Sequence, residues 1–207
     1  MRVTQELPAS RSFTTNARRA QIVDATVEIL AESGYPQATF SRIAERAGLS
    51  STRLISYHFA GKQDLVDAVI KDVYSSIEAH MTERMSDQPD SRSGLRKYIS
   101  ALVEFISANR AKMAALMTLF LDHRDPVGGA TYDADTDSVV VTPLEQILLA
   151  GQHSGEFRPF DAFVMATTIQ RSIDGLPFLL RGRPDLDLTK YADELSELFD
   201  LATRAPE

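Results

Sequence analysis

The sequence has no cysteine and no tryptophan, and it lacks any long hydrophobic run. Without cysteine the chain can form no disulfide framework, thiol nucleophile or Cys-ligated zinc site, and a reducing compartment suits it. Its longest nearly unbroken apolar stretch, Met113 to Leu121, falls far short of the roughly 18 residues that would indicate a membrane span. The opening residues, MRVTQELPAS, contain no apolar core of a signal peptide. We therefore expect a soluble, cytoplasmic protein with no membrane partner.

The composition is that of an ordinary folded chain, with 43% apolar and 25% charged residues among 207. The net charge of −7 disfavours a nucleic-acid partner, but the charge is unevenly distributed. Residues 1–62 carry eight basic and five acidic side chains, a balance of +3, whereas the remainder carries 14 basic and 24 acidic ones, a balance of −10. Such asymmetry suits an N-terminal end that approaches a polyanion. It also arises by chance in a short segment, so charge alone decides nothing.

Residues 1–15 have no periodicity and are predicted to form a flexible arm. Asn16 is a plausible N-cap of a first helix that ends at Gly34, because apolar residues follow one stripe between these positions. Helical periodicity then recurs almost to the end of the chain, and the one strand-like run, residues 139–141, is too short to build a sheet. The segments predicted beyond the first 62 residues are a long helix up to Ser86 and helices at about 92–109, 111–122, 142–154, 160–181 and 188–203. The expected fold class is all-α, with about nine helices in total.

A short unit after the first helix has capping residues and a glycine at the positions typical of a helix-turn-helix. Thr39 is the expected N-cap of one short helix, which Gly48 ends in a left-handed conformation. Ser50 or Ser51 is the expected cap of a second short helix, Thr52 to Phe59. Two helices of about two turns, joined by a short turn that contains glycine, are typical of this motif.

Catalytic and metal-binding constellations are absent or incomplete. The four histidines form no HExxH motif. The acidic run Asp133–Asp137 begins like a calcium loop, but Ser138 stands where the turn needs glycine and Leu144 where a bidentate carboxylate is needed. The segment Gly151–Gly155 lacks the GxSxG spacing of a serine nucleophile, and no Gly-rich phosphate loop occurs. We therefore expect no enzyme activity, no cofactor and no metal site.

The second short helix has the chemistry of a helix that enters the major groove of DNA. Thr52, Arg53 and Ser56 share one face, and the Arg53 guanidinium can make a bidentate contact with O6 and N7 of guanine. The Thr52 methyl group can contact a thymine methyl group. Ile55 and Phe59 lie four residues apart and form the inner stripe that must pack against the rest of the unit.

The end of this helix and the start of the preceding one offer groups for phosphate binding. Tyr57, His58 and Lys62 can hold phosphates there, and Thr39 offers a hydroxyl group beside free backbone N–H groups. Core packing of Tyr57 and His58 is the alternative interpretation. The complete set of candidate DNA contacts is Thr39, Arg42, Ser51, Thr52, Arg53, Ser56, Tyr57, His58 and Lys62.

These residues resemble a known family. The run TFSRIAERAGLS from Thr39, followed by YHFAGKQDL from Tyr57, is similar to the N-terminal DNA-binding domain of tetracycline-repressor (TetR/AcrR) regulators, and the match covers about residues 17–70. The family usually has a phosphate-binding tyrosine two residues before the histidine, where this sequence has Ser56. The segment between Ser50 and His58 is also one residue longer than usual.

The resemblance implies a helix-turn-helix DNA-binding domain at residues 16–62 and a helical effector-binding and dimerisation domain at 63–207. It also implies a homodimer, a palindromic operator, and repression relieved by a small-molecule effector. The physical argument for two copies is that one short helix reads only a few base pairs. The alternative is a small-molecule-binding or adaptor protein whose helix-turn-helix is only structural.

Candidates for the effector pocket and the dimer interface come from the apolar residues of the later helices. Methionine and phenylalanine line adaptable cavities, although plain core packing explains the same residues. The effector candidates are Phe105, Met113, Met117, Phe120 and Phe163. The helix around residues 162–179 is apolar over more than one face and is expected to be buried in a core or against a partner. The dimer candidates are Ile169, Gln170, Ile173, Pro177, Phe178 and Leu198.

Overall fold

The computed structural model describes the backbone of residues 8–122 and 134–206, and within these ranges all regular secondary structure is helical. The all-α class is confirmed. An isolated bridge joins Phe157 to Arg204. The helices are α1 (Pro8–Ser33), α2 (Phe40–Arg46), α3 (Arg53–His58), α4 (Lys62–Arg84), α5 (Ser91–Ala108), α6 (Arg110–Asp122), α7 (Ala134–Ser154), α8 (Ala162–Asp174), α9 (Leu176–Gly182) and α10 (Leu188–Thr203), with a 3₁₀ turn at Tyr35–Gln37.

The first helix begins earlier than the sequence pattern predicts. It starts at Pro8 rather than after Asn16, so part of the predicted arm is helical. Proline is tolerated at a helix start because its missing N–H group would have no partner there, and no glycine or further proline follows before Gly34. The rest of the predicted arm, residues 1–7, lies outside the described residues.

The helix ends of the helix-turn-helix have the capping residues and the glycine conformation that the sequence predicts. Thr39 caps α2 by accepting a hydrogen bond from the backbone N–H of Arg42 at 3.4 Å. Gly48 has φ 61°, the left-handed conformation expected at the helix end. Of the two serine candidates, Ser51 accepts a hydrogen bond through its side chain, from the backbone N–H of Arg53 at 3.1 Å.

Two later helices differ from the predicted segments. The stretch predicted at 160–181 divides at Gly175 into α8 and α9, because Pro177 lies in the first turn of a new helix. This division gives ten α-helices in the described ranges instead of about nine. Helix α7 begins at Ala134, includes the strand-like run 139–141 and continues through Pro143. Asp133 and the side chains of residues 134–139, which bear on the calcium-loop comparison, lie outside what the structure describes.

Helix α6 belongs to two hydrophobic cores. Ala115 and Leu119 are fully buried in the core formed with α1, α2 and α3. Met113 and Leu116 are buried in the core formed with α5, α7, α8 and α10. The first core also takes in residues 65–69 of α4, so the predicted domain boundary between residues 62 and 63 falls inside a packed unit.

The described helices include none long and apolar enough to cross a membrane.

A close approach between a glycine and an aromatic ring attaches the end of α7 to α10. A Cβ atom built on Gly151 would lie 2.1 Å from Cδ2 of Phe157, a distance that real atoms do not tolerate. Phe157 is itself buried, and its backbone N–H donates to the Gly151 carbonyl at 3.0 Å. The adjacent Arg158 N–H donates to the carbonyl of Thr203 at the end of α10. A residue larger than glycine therefore cannot fit at position 151 unless the Phe157 ring moves.

We predict that Gly151→Ala lowers the free energy of unfolding by about 1–3 kcal/mol, because the added methyl group displaces the Phe157 ring. Thermal and urea denaturation followed by circular dichroism measure this change. Gly182→Ala is the matched control, since a Cβ atom there meets nothing within 4 Å. Equal stability of the two variants would contradict the prediction.

Candidate nucleic-acid interface and ligand cavity

Helix α3 separates an inner apolar stripe from an outer polar face, as the sequence predicts. Ile55 and Phe59 are 0% and 1% exposed, so they anchor the helix to the N-terminal core. Arg53 and Ser56 are exposed on the outer side. Tyr57 is 77% exposed, which excludes the alternative in which it is a core aromatic. The helix thus offers hydrogen-bonding side chains to the exterior of the unit.

The guanidinium of Arg53 is available for an external partner. No carboxylate of the described residues lies within 4 Å of it. Its neighbour Thr52 precedes the helix and is half-buried, whereas Ser51 is exposed. An exposed guanidinium keeps all of its donors for a base edge or a phosphate.

Arg19 holds the end of α3 against α1, a role that the sequence analysis missed. Its Nη1 donates to the carbonyl oxygen of His58 at 2.6 Å, and its guanidinium lies 4.1 Å from the centre of the Phe59 ring. Asp64 at the start of α4 lies 3.7 Å from the same guanidinium. One side chain therefore connects three helices through a charge-assisted hydrogen bond, a ring contact and an ion pair. The long separation in sequence left no local signal for this contact.

Two predicted phosphate-binding residues make internal contacts instead of projecting freely. The Lys62 Nζ donates to the Tyr35 carbonyl at 3.2 Å and lies 3.9 Å from the centre of the Tyr35 ring. Burial lowers the pKa of the Lys62 ammonium. The Arg42 guanidinium donates to side-chain oxygens of Gln37 and Ser33 at 2.9 and 3.3 Å. Both residues remain partly exposed, but part of their donor capacity is used to hold the 3₁₀ turn between α1 and α2.

Some of the charge of the N-terminal unit is neutralised internally. Arg46 donates to Glu28 at 2.9 Å and to Glu32 at 2.6 Å. This pairing lowers the pKa of the Glu32 carboxyl group. The two glutamates belong to α1 and are satisfied by a residue of α2. The charges of these two glutamates are therefore compensated within the N-terminal unit.

His58 lies half-buried at the end of α3, beside the exposed Tyr57 ring, whose centre is 5.1 Å away. Burial lowers the pKa of the His58 imidazole, and the positive charges of Arg19 and Arg18 lower it further. The neutral form is therefore favoured in the folded chain.

A cavity of about 920 Å³ lies among α4, α5, α6, α7, α8 and α9. Three of the five predicted effector residues, Met113, Met117 and Phe120, line it. Phe105 does not, because it is buried in the core with its ring centre 5.5 Å from that of His80. Phe163 is 53% exposed on the outer face of α8 and is not among the lining residues either.

A hydrogen-bonded chain of polar side chains forms one wall of the cavity. The Tyr98 hydroxyl donates to Oε1 of Gln170 at 3.0 Å, and Nε2 of Gln170 donates to Asp174 at 2.8 Å. Arg171 donates to the other oxygen of the Asp174 carboxylate at 2.7 Å. These hydrogen bonds place Gln170 in the cavity wall, whereas the sequence predicted it at a dimer interface.

The predicted dimer residues divide into buried and exposed sets. Ile169, Ile173 and Pro177 are buried within this chain, as is Gln170, so the structure leaves them no surface for a partner. Their burial follows from the packing of α8 on α7. Phe178 and Leu198, by contrast, are 45% and 56% exposed. The exposed large apolar residues of the last three helices are Phe163, Val164, Phe178, Leu179, Leu198 and Leu201.

Among the residues that the structure describes, no group of three or more histidine and carboxylate side chains could hold a metal ion.

Comparison with known proteins agrees with this geometry. The model of the family "Bacterial regulatory proteins, tetR family" matches residues 22–69. The HTH-type transcriptional regulator BetI of Burkholderia ambifaria is 36% identical over 85 residues, which cover 41% of this chain and 43% of that protein. BetI of an Escherichia coli strain is 38% identical over 79 residues, or 38% of this chain and 40% of the relative. The chain thus spans less than half the length of these curated relatives.

Solved structures extend the likeness to the whole fold. A regulatory protein in the tetR family from Rhodococcus RHA1 has a TM-score of 0.77 at 21% identity and covers 92% of this chain and 98% of its own. The regulator FadR of Bacillus subtilis, in complex with stearoyl-CoA, has a TM-score of 0.72 at 23% identity, with 86% and 96% coverage. At such identities the likeness concerns the fold.

The fold is all-helical in the described ranges and begins with a helix-turn-helix unit. Residues 22–69 match the tetR family of bacterial regulatory proteins, and the chain shares its overall fold with solved proteins of that description.

The lowered pKa of His58 predicts an acid-sensitive component of stability. Because unfolding restores the ordinary value of 6.5, the unfolded chain binds the proton more readily, and stability is lost as the pH falls below 6.5. His58→Gln removes this component while keeping the backbone carbonyl that Arg19 contacts. Urea unfolding between pH 7.5 and pH 5 measures the difference. An unaltered slope for His58→Gln would contradict the assignment.

Proposed function

We propose that this chain is a ligand-responsive transcriptional repressor that binds a palindromic operator in double-stranded DNA as a homodimer. A small apolar or amphipathic effector releases it from the operator. The observation that carries the proposal is the outer face of α3, where Arg53, Ser56 and Tyr57 are exposed while Ile55 and Phe59 fix the helix from within. A helix held in this way can enter the major groove with its polar side chains directed at base edges and phosphates.

The candidate contacts have different expected roles. Arg53 is the best placed to read a base, because its guanidinium has no acidic partner in the described chain. Thr52 and Ser56 lie beside it on the same face. Tyr57 takes the phosphate role that the family usually gives to a tyrosine at the position of Ser56. Thr39, Ser51 and His58, with the remaining capacity of Arg42 and Lys62, supply further backbone contacts that set orientation without specifying sequence.

The cavity is the proposed effector site. Its lining is mainly apolar, with Met113, Met117 and Phe120 contributed by α6. The neighbour FadR, which is in complex with stearoyl-CoA, supports the idea that this fold accommodates a long apolar ligand. The same α6 packs Ala115 and Leu119 into the core of the N-terminal unit. A ligand that displaces α6 therefore acts directly on the unit that carries α3.

The proposed dimer uses the outer faces of α8 and α10. These helices approach each other where the Tyr191 hydroxyl of α10 donates to the Ser172 carbonyl of α8 at 3.3 Å. Each exposes large apolar residues: Phe163 and Val164 on α8, and Leu198 and Leu201 on α10. Exposed large apolar residues of this kind are typical of a protein–protein interface. This surface replaces the buried residues that the sequence predicted for the interface.

We predict that Arg53→Ala weakens specific operator binding by about 1–3 kcal/mol, or roughly 5- to 150-fold, because a base-reading guanidinium is lost. An electrophoretic mobility shift with DNA from upstream of the protein's own gene measures this affinity. Arg183→Ala, an exposed arginine after α9, serves as the control. If the unmodified protein shifts no upstream DNA even at low salt, the repressor proposal fails. Equal binding by the two variants would favour the alternative in which the helix-turn-helix is only structural.

We also predict that Leu198→Glu converts the dimer to a monomer, because the substitution places a charge in the apolar surface of α10. Sedimentation equilibrium measures the mass, and operator affinity should fall with the loss of the second α3. Ser107→Glu adds the same charge at an exposed position of α5 and should leave the dimer intact. A monomeric unmodified protein, or a dimeric Leu198→Glu variant, would exclude this interface.

A further inference from the structure

The cavity face of α4 consists of two parallel stripes with different chemistry. Side chains at four-residue steps lie above one another on a helix. Ile77, Met81 and Met85 therefore form an apolar stripe, and Tyr74, Glu78 and Thr82 form a polar stripe beside it; all six line the cavity. The helix thus presents a carboxylate directly next to thioether and aliphatic groups.

The charges of the described lining residues do not cancel. Glu78, Arg171 and Asp174 are the charged residues among them. Arg171 and Asp174 form an ion pair at 2.7 Å, and Gln170 donates to the same carboxylate. No cationic group of the described residues lies within 4 Å of Glu78. The described lining residues therefore carry a net charge of −1.

The position of Glu78 defines a polar end of the cavity. Glu78 and Thr82 are exposed, as are Leu121 and Phe178, so these residues lie at the opening. Leu102, Ile106, Met113 and Leu116 are buried and form the interior. A ligand that binds here meets a carboxylate near water and hydrocarbon deeper in the protein.

The other lining groups are also suited to a positive charge. Tyr74, Tyr98, Phe120 and Phe178 supply aromatic rings, whose negative faces attract ammonium groups. Met81, Met85, Met113 and Met117 supply polarizable thioethers that adapt to the shape of an apolar ligand. A carboxylate ligand would meet the charge of Glu78, while the one arginine among the described lining residues is paired with Asp174.

We propose that the cavity selects an amphipathic cation, in which an amine or quaternary ammonium group lies against Glu78 at the opening and an apolar body fills the space between α4 and α6. This inference rests on the proposed function, since it names the chemical class of the effector. Glu78 is the residue that determines specificity for charge, because the other two charged residues of the described lining, Arg171 and Asp174, are paired with each other.

The test uses three ligands with the same ten-carbon chain: decyltrimethylammonium, 1-decanol and decanoate, all below their micelle-forming concentrations. Isothermal titration calorimetry on the full chain should show one cation bound per protomer, with a Kd about ten-fold lower than that for decanoate. Glu78→Gln should weaken cation binding about ten-fold and change decanol binding less than two-fold. Glu83→Gln, an exposed residue on the same helix outside the cavity lining, should bind all three ligands like the unmodified chain.

The inference is overturned if decanoate binds as tightly as the cation, if the cation does not bind, or if Glu78→Gln leaves cation binding unchanged. Circular dichroism verifies that Glu78→Gln is folded. Operator binding by the ligand-free protein, measured by mobility shift, tests the proposed function separately. Intact operator binding without a cation preference overturns only the ligand class. A cation that binds through Glu78 without releasing DNA supports the ligand class and contradicts ligand-induced release.

Discussion

The architecture depends on the packing of α6 into two cores at once. Residues on one side of this helix, Ala115 and Leu119, are buried against α1, and residues on the other side, Met113 and Leu116, are buried in the larger helical core. Full burial of a leucine side chain contributes about 1.5–3 kcal/mol, so neither face can leave its core cheaply. The Thr118 hydroxyl also reaches the carbonyl of Leu30 at 3.4 Å. Any change in the position of α6 therefore alters the packing of both hydrophobic cores.

Polar contacts reinforce the same connection between the two units. Lys112 at the start of α6 donates to Asp72 and Ser76 of α4, each at 2.8 Å. Helix α4 in turn begins at the end of the helix-turn-helix and extends along the cavity. At the opposite end of the N-terminal unit, Arg19 ties α3 to α1. The outer face of α3 is therefore positioned by α1 and α4, both of which contact α6.

The fold was largely predictable because its signals are local. N-caps, glycine turns and helical periodicity act over a few residues, and they located the helix-turn-helix and the inner pair Ile55 and Phe59 correctly. Helix starts were less predictable, since nothing in the pattern distinguished Pro8 from Asn16 as the beginning of α1. The break at Gly175 was missed because the apolar pattern continues across it.

The candidate sites were less predictable because they depend on contacts between distant segments. Phenylalanine content could not separate Phe120, which lines the cavity, from Phe105 in the core and Phe163 on the surface. Apolar character likewise identified α8 as buried, but periodicity alone did not tell which residues faced the chain's own core. Arg19 and Glu78 belong to no sequence motif. Arg19 is important because it contacts His58, 39 residues away, and Glu78 because other helices form the cavity beside it.

The two faces of α6 also bear on how such a protein can diverge. The small, fully buried Ala115 has no room for a larger side chain where α6 meets α1, whereas Met117 and Phe120 border open space. Substitutions at the cavity positions change the size of the cavity directly, whereas Ala115 and Leu119 stay packed in the N-terminal core. Under the proposed function, ligand preference and DNA preference therefore depend on separate residues, the first in the cavity and the second on α3.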